Sequence, residues 1–223
     1  MGKIKIAIQG ELGAYSHIAA ENLYKETEIK TCATFEETFK QAYNDSNCKI
    51  VIPIENSLAG RVADIHYLLP KYKLQIHGEH FQPVEHNLLC KQDANMEDIK
   101  FVRSHAQAIG QCQNLINKKK FKQIISADTA GSAKDLAEGN DKSIAAIASE
   151  LSAKIYNLKI LQKNIEDEKG NVTRFLIMGK NIEQPEFSQN KKFITSCVFR
   201  VKSEPSALYK CLGGFATNQV NLT

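Results

Sequence analysis

Ile4-Lys5-Ile6-Ala7-Ile8-Gln9-Gly10-Glu11-Leu12-Gly13-Ala14-Tyr15-Ser16 is the stretch that decides the fold class. Ile4 to Ile8 is a short apolar run ended by a glycine-bearing turn, the pattern of a buried strand. Gln9 to Gly13 turns the chain, and a helix is expected from about Ser16 to Tyr24. A strand, a glycine loop and a helix in that order open an α/β unit.

The same rhythm continues downstream. Thr34 precedes Phe35-Glu36-Glu37, so Thr34 can cap a helix to about Tyr43 while Glu37 returns a bond to its first amide. Phe35, Phe39 and Ala42 then face inward, and Lys49 to Ile54 is the next strand. Such alternation favours a largely parallel sheet covered on both faces. Val84 to Cys90, Phe101 to Arg103 and Gln123 to Ser126 read as strands, and Ala106 to Asn117 as a helix. Asp128-Thr129 can cap a further helix, Ala130 to Ala137. Ser143 to Ala148 fits a buried strand or a helix start; Gly139-Asn140-Asp141 breaks the helix before it and favours strand, then helix Glu150 to Ile155. Lys180 to Lys192, with Pro185, reads as a linker. Beyond it, Phe193 to Val201 is a strand candidate, Pro205 to Phe215 a helix, and Val220 to Leu222 the start of another strand.

Composition narrows the function classes. The 223 residues carry 43% hydrophobic and 24% charged side chains, ordinary for a globular protein rather than a disordered one. The net charge of +4 is spread along the chain. No basic stripe interleaved with aromatics marks a nucleic-acid surface. Lys118-Lys119-Lys120 reads as a solvated helix end, where positive charge is favourable. No apolar run approaches the roughly 20 residues of a membrane span. Cysteines 32, 48, 90, 112, 197 and 211 lack paired spacing, and with no secretory leader they suggest reduced thiols and a cytoplasmic location. His77, His80 and His86 have no Cys pair to complete a metal site, so no metal is expected.

Four loops and one strand start carry polar chemistry. Gly10 to Ser16 is either a structural turn or an anion contact through helix-start amides and the Ser16 hydroxyl. Glu55, Asn56 and Ser57 follow a strand, where ligands of open α/β sheets bind. Asn56 or Ser57 can equally cap the next helix. Ser104 fits an N-cap, and His105 an acid, a ligand donor or a packed spectator. Asp128 to Ser132, including Thr129, is another donor-rich strand-to-helix loop. Thr173-Arg174 sets a hydroxyl beside a guanidinium at the start of the apolar run Leu176-Ile177-Met178. Arg174 can fork onto a carboxylate or lie solvated on an edge strand.

Six ordered segments resemble the prephenate dehydratase family: Gly10 to Ser16, Pro53 to Gly60, Ser104 to Cys112, Asp128 to Ala133, Ala145 to Ser149, and Asn171 to Phe175. The last is similar to the family's Thr-Arg-Phe signature. The resemblance spans most of the chain. It implies a two-lobed, periplasmic-binding-protein-like catalytic region over 1–180, with lobe 1 at about 1–76 plus 172–180 and lobe 2 at about 85–160. Crossovers are expected near Ile76 to Glu85 and Leu161 to Thr173. A linker at 181–192 leads to 193–223, which resembles the front half of an α+β ACT regulatory domain. That part rests on Glu204-Pro205-Ser206-Ala207-Leu208 and Asn221-Leu222-Thr223. The family has Gly where this chain has Ser206, and the sequence stops before the family's Glu-Ser-Arg-Pro segment, so a partial ACT domain is expected.

The implied activity is conversion of prephenate to phenylpyruvate, water and carbon dioxide in phenylalanine synthesis, with no cofactor. As the resemblance implies, Thr173 donates toward the leaving hydroxyl and Arg174 anchors a carboxylate. Asn56 and Ser57 position the substrate, Glu55 is a proton carrier, and Ser16, Ser104 and Thr129 belong to the substrate-binding set. L-phenylalanine is the implied effector, near Ala207, Leu208, Asn221 and Leu222, and a homodimer is the implied assembly. Arogenate dehydration is the alternative reaction, and a non-catalytic small-anion or amino-acid binding protein the alternative class.

Overall fold

A computed structural model describes residues 3–181, 186, 188–190 and 193–222. The chain divides into two units, one ending at 183 and one starting at 184. In the first unit, β1 (Ile4–Gln9), α1 (Tyr15–Leu23), β2 (Thr27–Cys32), α2 (Phe35–Asn44), β3 (Cys48–Asn56), β4 (Gly60–Arg61), α3 (Ala63–Tyr72) and β5 (Gln75–Pro83) come first. They are followed by β6 (Asn87–Cys90), β7 (Phe101–His105), α4 (Ala106–Gly110), α5 (Gln113–Lys119), β8 (Lys122–Ser126), α6 (Thr129–Glu138), β9 (Ile144–Ala148), α7 (Glu150–Ile155), β10 (Lys159–Gln162) and β11 (Val172–Gly179).

Two sheets result, ordered β2-β1-β3-β11-β5, with β4 on β3, and β10-β6-β9-β7-β8. Period-two burial explains the first. Ile50 and Ile52 pack with Phe39, Ile65, Leu68, Leu176 and Met178 on one face. Val51 packs with Ile6, Ile8, Ala19, Phe175 and Ile177 on the other. A strand apolar on both faces belongs inside a sheet covered by helices.

The expected largely parallel sheet is corrected to two mixed sheets. β1 pairs in parallel with β2 and β3, but β11 is antiparallel to both β3 and β5. In the second sheet β6 is antiparallel to β9 and β10. The reason is long-range: β11 returns after the second sheet is complete and inserts beside β3. It is therefore central, which removes the edge-strand reading of Arg174. Two mixed sheets joined by two chain crossings are the two-lobed, periplasmic-binding-protein-like architecture.

The chain leaves the first sheet after Pro83, later than the expected start at Ile76, because Gln75–Pro83 pairs along β11. The crossings lie side by side: Val84 N donates to Asn171 O (2.8 Å), Ile165 N to His86 O (2.8 Å), and His86 N to Glu166 Oε2 (3.0 Å).

Local signals hold at the helix starts. Thr34 Oγ1 accepts from Glu37 N (3.1 Å), and Glu37 Oε2 accepts from Ala33 N (3.0 Å), one residue before the amide expected. Asp128 caps α6. The single helix expected over Ala106 to Asn117 is two. Asp167, arriving from the return crossing, accepts from Gln113 N (2.8 Å) and Asn114 N (3.0 Å) and starts α5 anew.

In the second unit α8 spans Ala207–Thr217, with Phe199 and Phe215 ring centroids 6.2 Å apart. The strands expected at 193–201 and 220–222 form no ladder among the described residues, since neither meets a partner strand there. Ala207 and Leu208 lie in the first turn of α8, and Asn221 and Leu222 beyond its end. Ser206, where the resemblance expects Gly, sits at φ 63°. Pro185, Lys191, Lys192 and most of the expected linker, with Thr223, lie outside the described residues. No helix among the described residues is long and apolar enough to cross a membrane.

Candidate active site

A cleft of about 500 Å³ is lined from both sheets: Gln9, Gly10, Asn56 and Thr173 from the first, His105, Asp128 and Thr129 from the second, and His86 and Asn171 from the crossings. Its floor is thus made of strand ends and the loops that follow them, where side chains of several segments converge.

One hydrogen-bonded series fixes the donors in this cleft. Asn56 Oδ1 accepts from Leu58 N (3.0 Å) and Ala59 N (2.8 Å). Two backbone donors leave the amide a single orientation, so Asn56 Nδ2 must point the other way. It donates to Asn171 Oδ1 (2.7 Å) and Thr173 Oγ1 (2.9 Å). Asn171 is thereby turned so that its Nδ2 donates to Gln111 Oε1 (2.9 Å). The same oxygen lies 2.9 Å from His86 Nε2, which must then carry the ring proton. Within this series two donors have no protein partner among the described residues, the Thr173 hydroxyl proton and Gln111 Nε2. Both residues line the cleft.

The wall behind this series is formed by buried His86 and half-buried Tyr15. His86 is 2% exposed, and burial lowers its basicity more than Gln111 and Glu166 restore it, which favours neutral imidazole. Tyr15 Oη donates to Glu85 O (2.6 Å) and lies 3.2 Å from His86 Nδ1; burial first, then Glu166, pushes its phenol well above the usual range. Preorganised neutral donors of this kind can stabilise charge developing on a departing oxygen.

The expected site residues separate into two groups. Asn56, Thr173, Ser16 and Thr129 line the cleft. Ser57, Ser104, Glu55 and Arg174 do not. Ser57 Oγ accepts from Val172 N (3.0 Å) and ties the β3 loop to the return crossing. Ser104 is fully buried and donates to Ile147 O (2.6 Å), while the N-cap expected of it is made by His105, whose Nδ1 accepts from Gln107 N (3.3 Å). Glu55 is exposed, paired across the ladder with Arg61 and Arg174. Arg174 Nε donates to Glu79 Oε2 (2.7 Å), with the guanidinium 6.0 Å from the Phe81 ring centroid. Alternation explains this: Thr173 and Phe175 face the cleft side, so Arg174 faces the other.

His86, Gln111, Tyr15 and Asn171 were not singled out from sequence. Gln111 and Tyr15 fall inside resembling segments and Asn171 opens one, whereas His86 reads as one of three scattered histidines. Among the described residues no group of three or more His, Cys, Asp or Glu side chains is placed to hold a metal ion.

The family model described as prephenate dehydratase matches residues 6–183. The chain belongs to this family. Arogenate dehydratase/prephenate dehydratase 2 of Arabidopsis thaliana is 41% identical over 221 residues, covering 99% of this chain and 58% of the relative. The bifunctional N-acyl-homoserine lactone acylase/prephenate dehydratase of Komagataeibacter europaeus is 39% identical over 225 residues, covering 100% of this chain and 79% of the relative. Arogenate dehydratase 2 of Petunia hybrida is 38% identical over 221 residues, covering 99% and 56%. The chain thus spans a little over half the length of the two plant relatives. Prephenate dehydratase from Arthrobacter aurescens, solved with L-Phe, shares the fold at a TM-score of 0.87 and 23% identity, covering 99% of this chain and 74% of that one.

Proposed function

We propose that this family member catalyses decarboxylating dehydration of the cyclohexadienol shared by prephenate and arogenate. The ring carboxylate leaves as carbon dioxide, its bonding pair enters the ring, and the C4–O bond breaks as the ring becomes aromatic. The departing hydroxyl takes up one proton and leaves as water. Thr173 O–H hydrogen-bonds to that oxygen as charge develops on it. Asn56 occupies the Thr173 lone pair and so aims the proton outward. Gln111 Nε2, Ser16 and Thr129 hold the carboxylates. Arg174 has no direct part, since Glu79 already engages it.

The observation that carries this reading is the Thr173 hydroxyl, 8% exposed, which accepts from Asn56 Nδ2 at 2.9 Å and whose own proton has no partner among the described residues. Replacing Thr173 by Val should abolish most turnover while preserving the fold, and unaltered turnover would remove Thr173 from the mechanism.

Between substrates, the names of the two plant relatives favour arogenate. Prephenate, the first expectation from sequence, draws support from the Komagataeibacter and Arabidopsis relatives. Arogenate would yield phenylalanine and prephenate phenylpyruvate, so product analysis separates them. L-phenylalanine as effector is supported by the complex of the Arthrobacter protein. Turnover measured with and without it tests that role.

A further inference from the structure

Asp128 carries more charge than its structural duty requires. It follows β8 and caps α6, with Oδ1 accepting from Gly131 N at 2.6 Å. Asn and Ser serve such a cap about as well, so the cap needs an acceptor rather than a full negative charge. Asp128 also lines the cleft that holds Thr173. It lies against the β1–α1 loop, where a Cβ on Gly10 would be 3.9 Å from Asp128 Cγ.

The charge has no side-chain counterpart. No ion pair to Asp128 forms among the described residues, and Lys134, further along α6, is taken by Glu11 at 3.2 Å. The α6 N-terminus offsets only part of a unit charge. Among the charged cleft-lining residues Arg61 and Asp128 both lack an ion-pair partner among those described, giving one cation and one anion. A cleft meant only for a dianion gains from Arg61 but is opposed by Asp128. A ligand bearing two carboxylates and an ammonium answers both.

We propose that Asp128 is a specificity-determining residue that recognises the α-ammonium of an amino-acid substrate, so that the site favours arogenate over prephenate. The inference rests on the elimination proposed above. A carboxylate beside a keto group repels the second substrate, while the same carboxylate beside an ammonium holds the first.

The test is Asp128→Asn, which keeps the capping oxygen and removes the charge, with Asp128→Ser as a second neutral cap. Each is compared with the wild-type chain for kcat/KM on arogenate and on prephenate, with thermal unfolding as the control for folding. Wild type should prefer arogenate at least tenfold. Both variants should lose that preference by at least tenfold, through a higher KM for arogenate and a higher kcat/KM for prephenate, with Tm nearly unchanged. An unchanged substrate ratio in a folded variant, or a wild-type preference for prephenate, overturns the assignment of Asp128 alone. A wild-type chain that turns over neither substrate overturns the elimination itself and this inference with it.

Discussion

Asn56→Asp exchanges one NH2 for one oxygen and should disable the site without emptying it. Asp still accepts from Leu58 N and Ala59 N, so its second oxygen takes the Nδ2 position. There it faces Asn171 Oδ1 at 2.7 Å, acceptor against acceptor, and Thr173 Oγ1 at 2.9 Å. With Asn171 held by Gln111, the proton at hand is that of Thr173, which turns away from the cleft to bond the new carboxylate. Loss of one transition-state donor costs about 3 kcal/mol, roughly 100–1,000-fold in kcat. The opposed acceptors add about 1–3 kcal/mol of lost stability, relieved in part if Asn171 turns and abandons Gln111. Both numbers come from one substitution, so kcat on arogenate and prephenate should be read beside thermal unfolding. A kcat within threefold of wild type would refute the directional series, because the altered residue could then not be orienting Thr173.

Two further perturbations probe the frame around the cleft. In Gly13→Ala the new Cβ would meet Ser152 Oγ and lie 2.8 Å from Ser152 Cα, at φ 90°, while Ser149 Oγ donates to Gly13 O at 2.6 Å. Left-handed strain of about 1–2 kcal/mol and overpacking of about 1–3 kcal/mol should lower chemical-denaturation stability by roughly 2–5 kcal/mol; an unchanged midpoint would show that the α7 junction yields freely. For His86, burial holds the folded imidazole below the ordinary value near 6.5, so the unfolded chain binds more protons between those two values. Stability should therefore rise with pH across that window and be lost as pH falls below about 6.5. His17 and His77, lowered by burial too, add the same sign. His86→Gln should shrink the pH slope of Tm and keep an N–H toward Gln111, retaining kcat better than His86→Leu; equal kcat in the two variants would detach His86 from Gln111 orientation.

Features written in adjacent residues were legible. The apolar run of β1 with its glycine turn announced the α/β unit, and Thr34 and Asp128 announced their helices because a cap is a contact over three residues. β2 and β10 were not read, since their mostly polar, half-exposed residues become strands only by pairing with β1 and β6. The antiparallel insertion of β11 was hidden for the same reason. Its partner β3 lies more than a hundred residues earlier, and no local pattern encodes that register. At the site, Thr173 and Asn56 were legible from their motifs. Arg174 lies off the cleft beside Glu79, and that contact was not legible because Glu79 comes from a strand that the resemblance places in a crossover. Gln111 and His86 gained meaning only when the two crossings brought them beside Asn171.

The most direct measurement is kcat of Thr173→Val beside Thr173→Ser, on arogenate and prephenate, with Tm recorded for each. Val keeps the shape of Thr without the hydroxyl, and Ser keeps the hydroxyl. Thr173→Val should lose kcat roughly 100–1,000-fold, Thr173→Ser should retain most activity, and both should fold. Near-wild-type turnover by a folded Thr173→Val chain would contradict the role of the Thr173 hydroxyl.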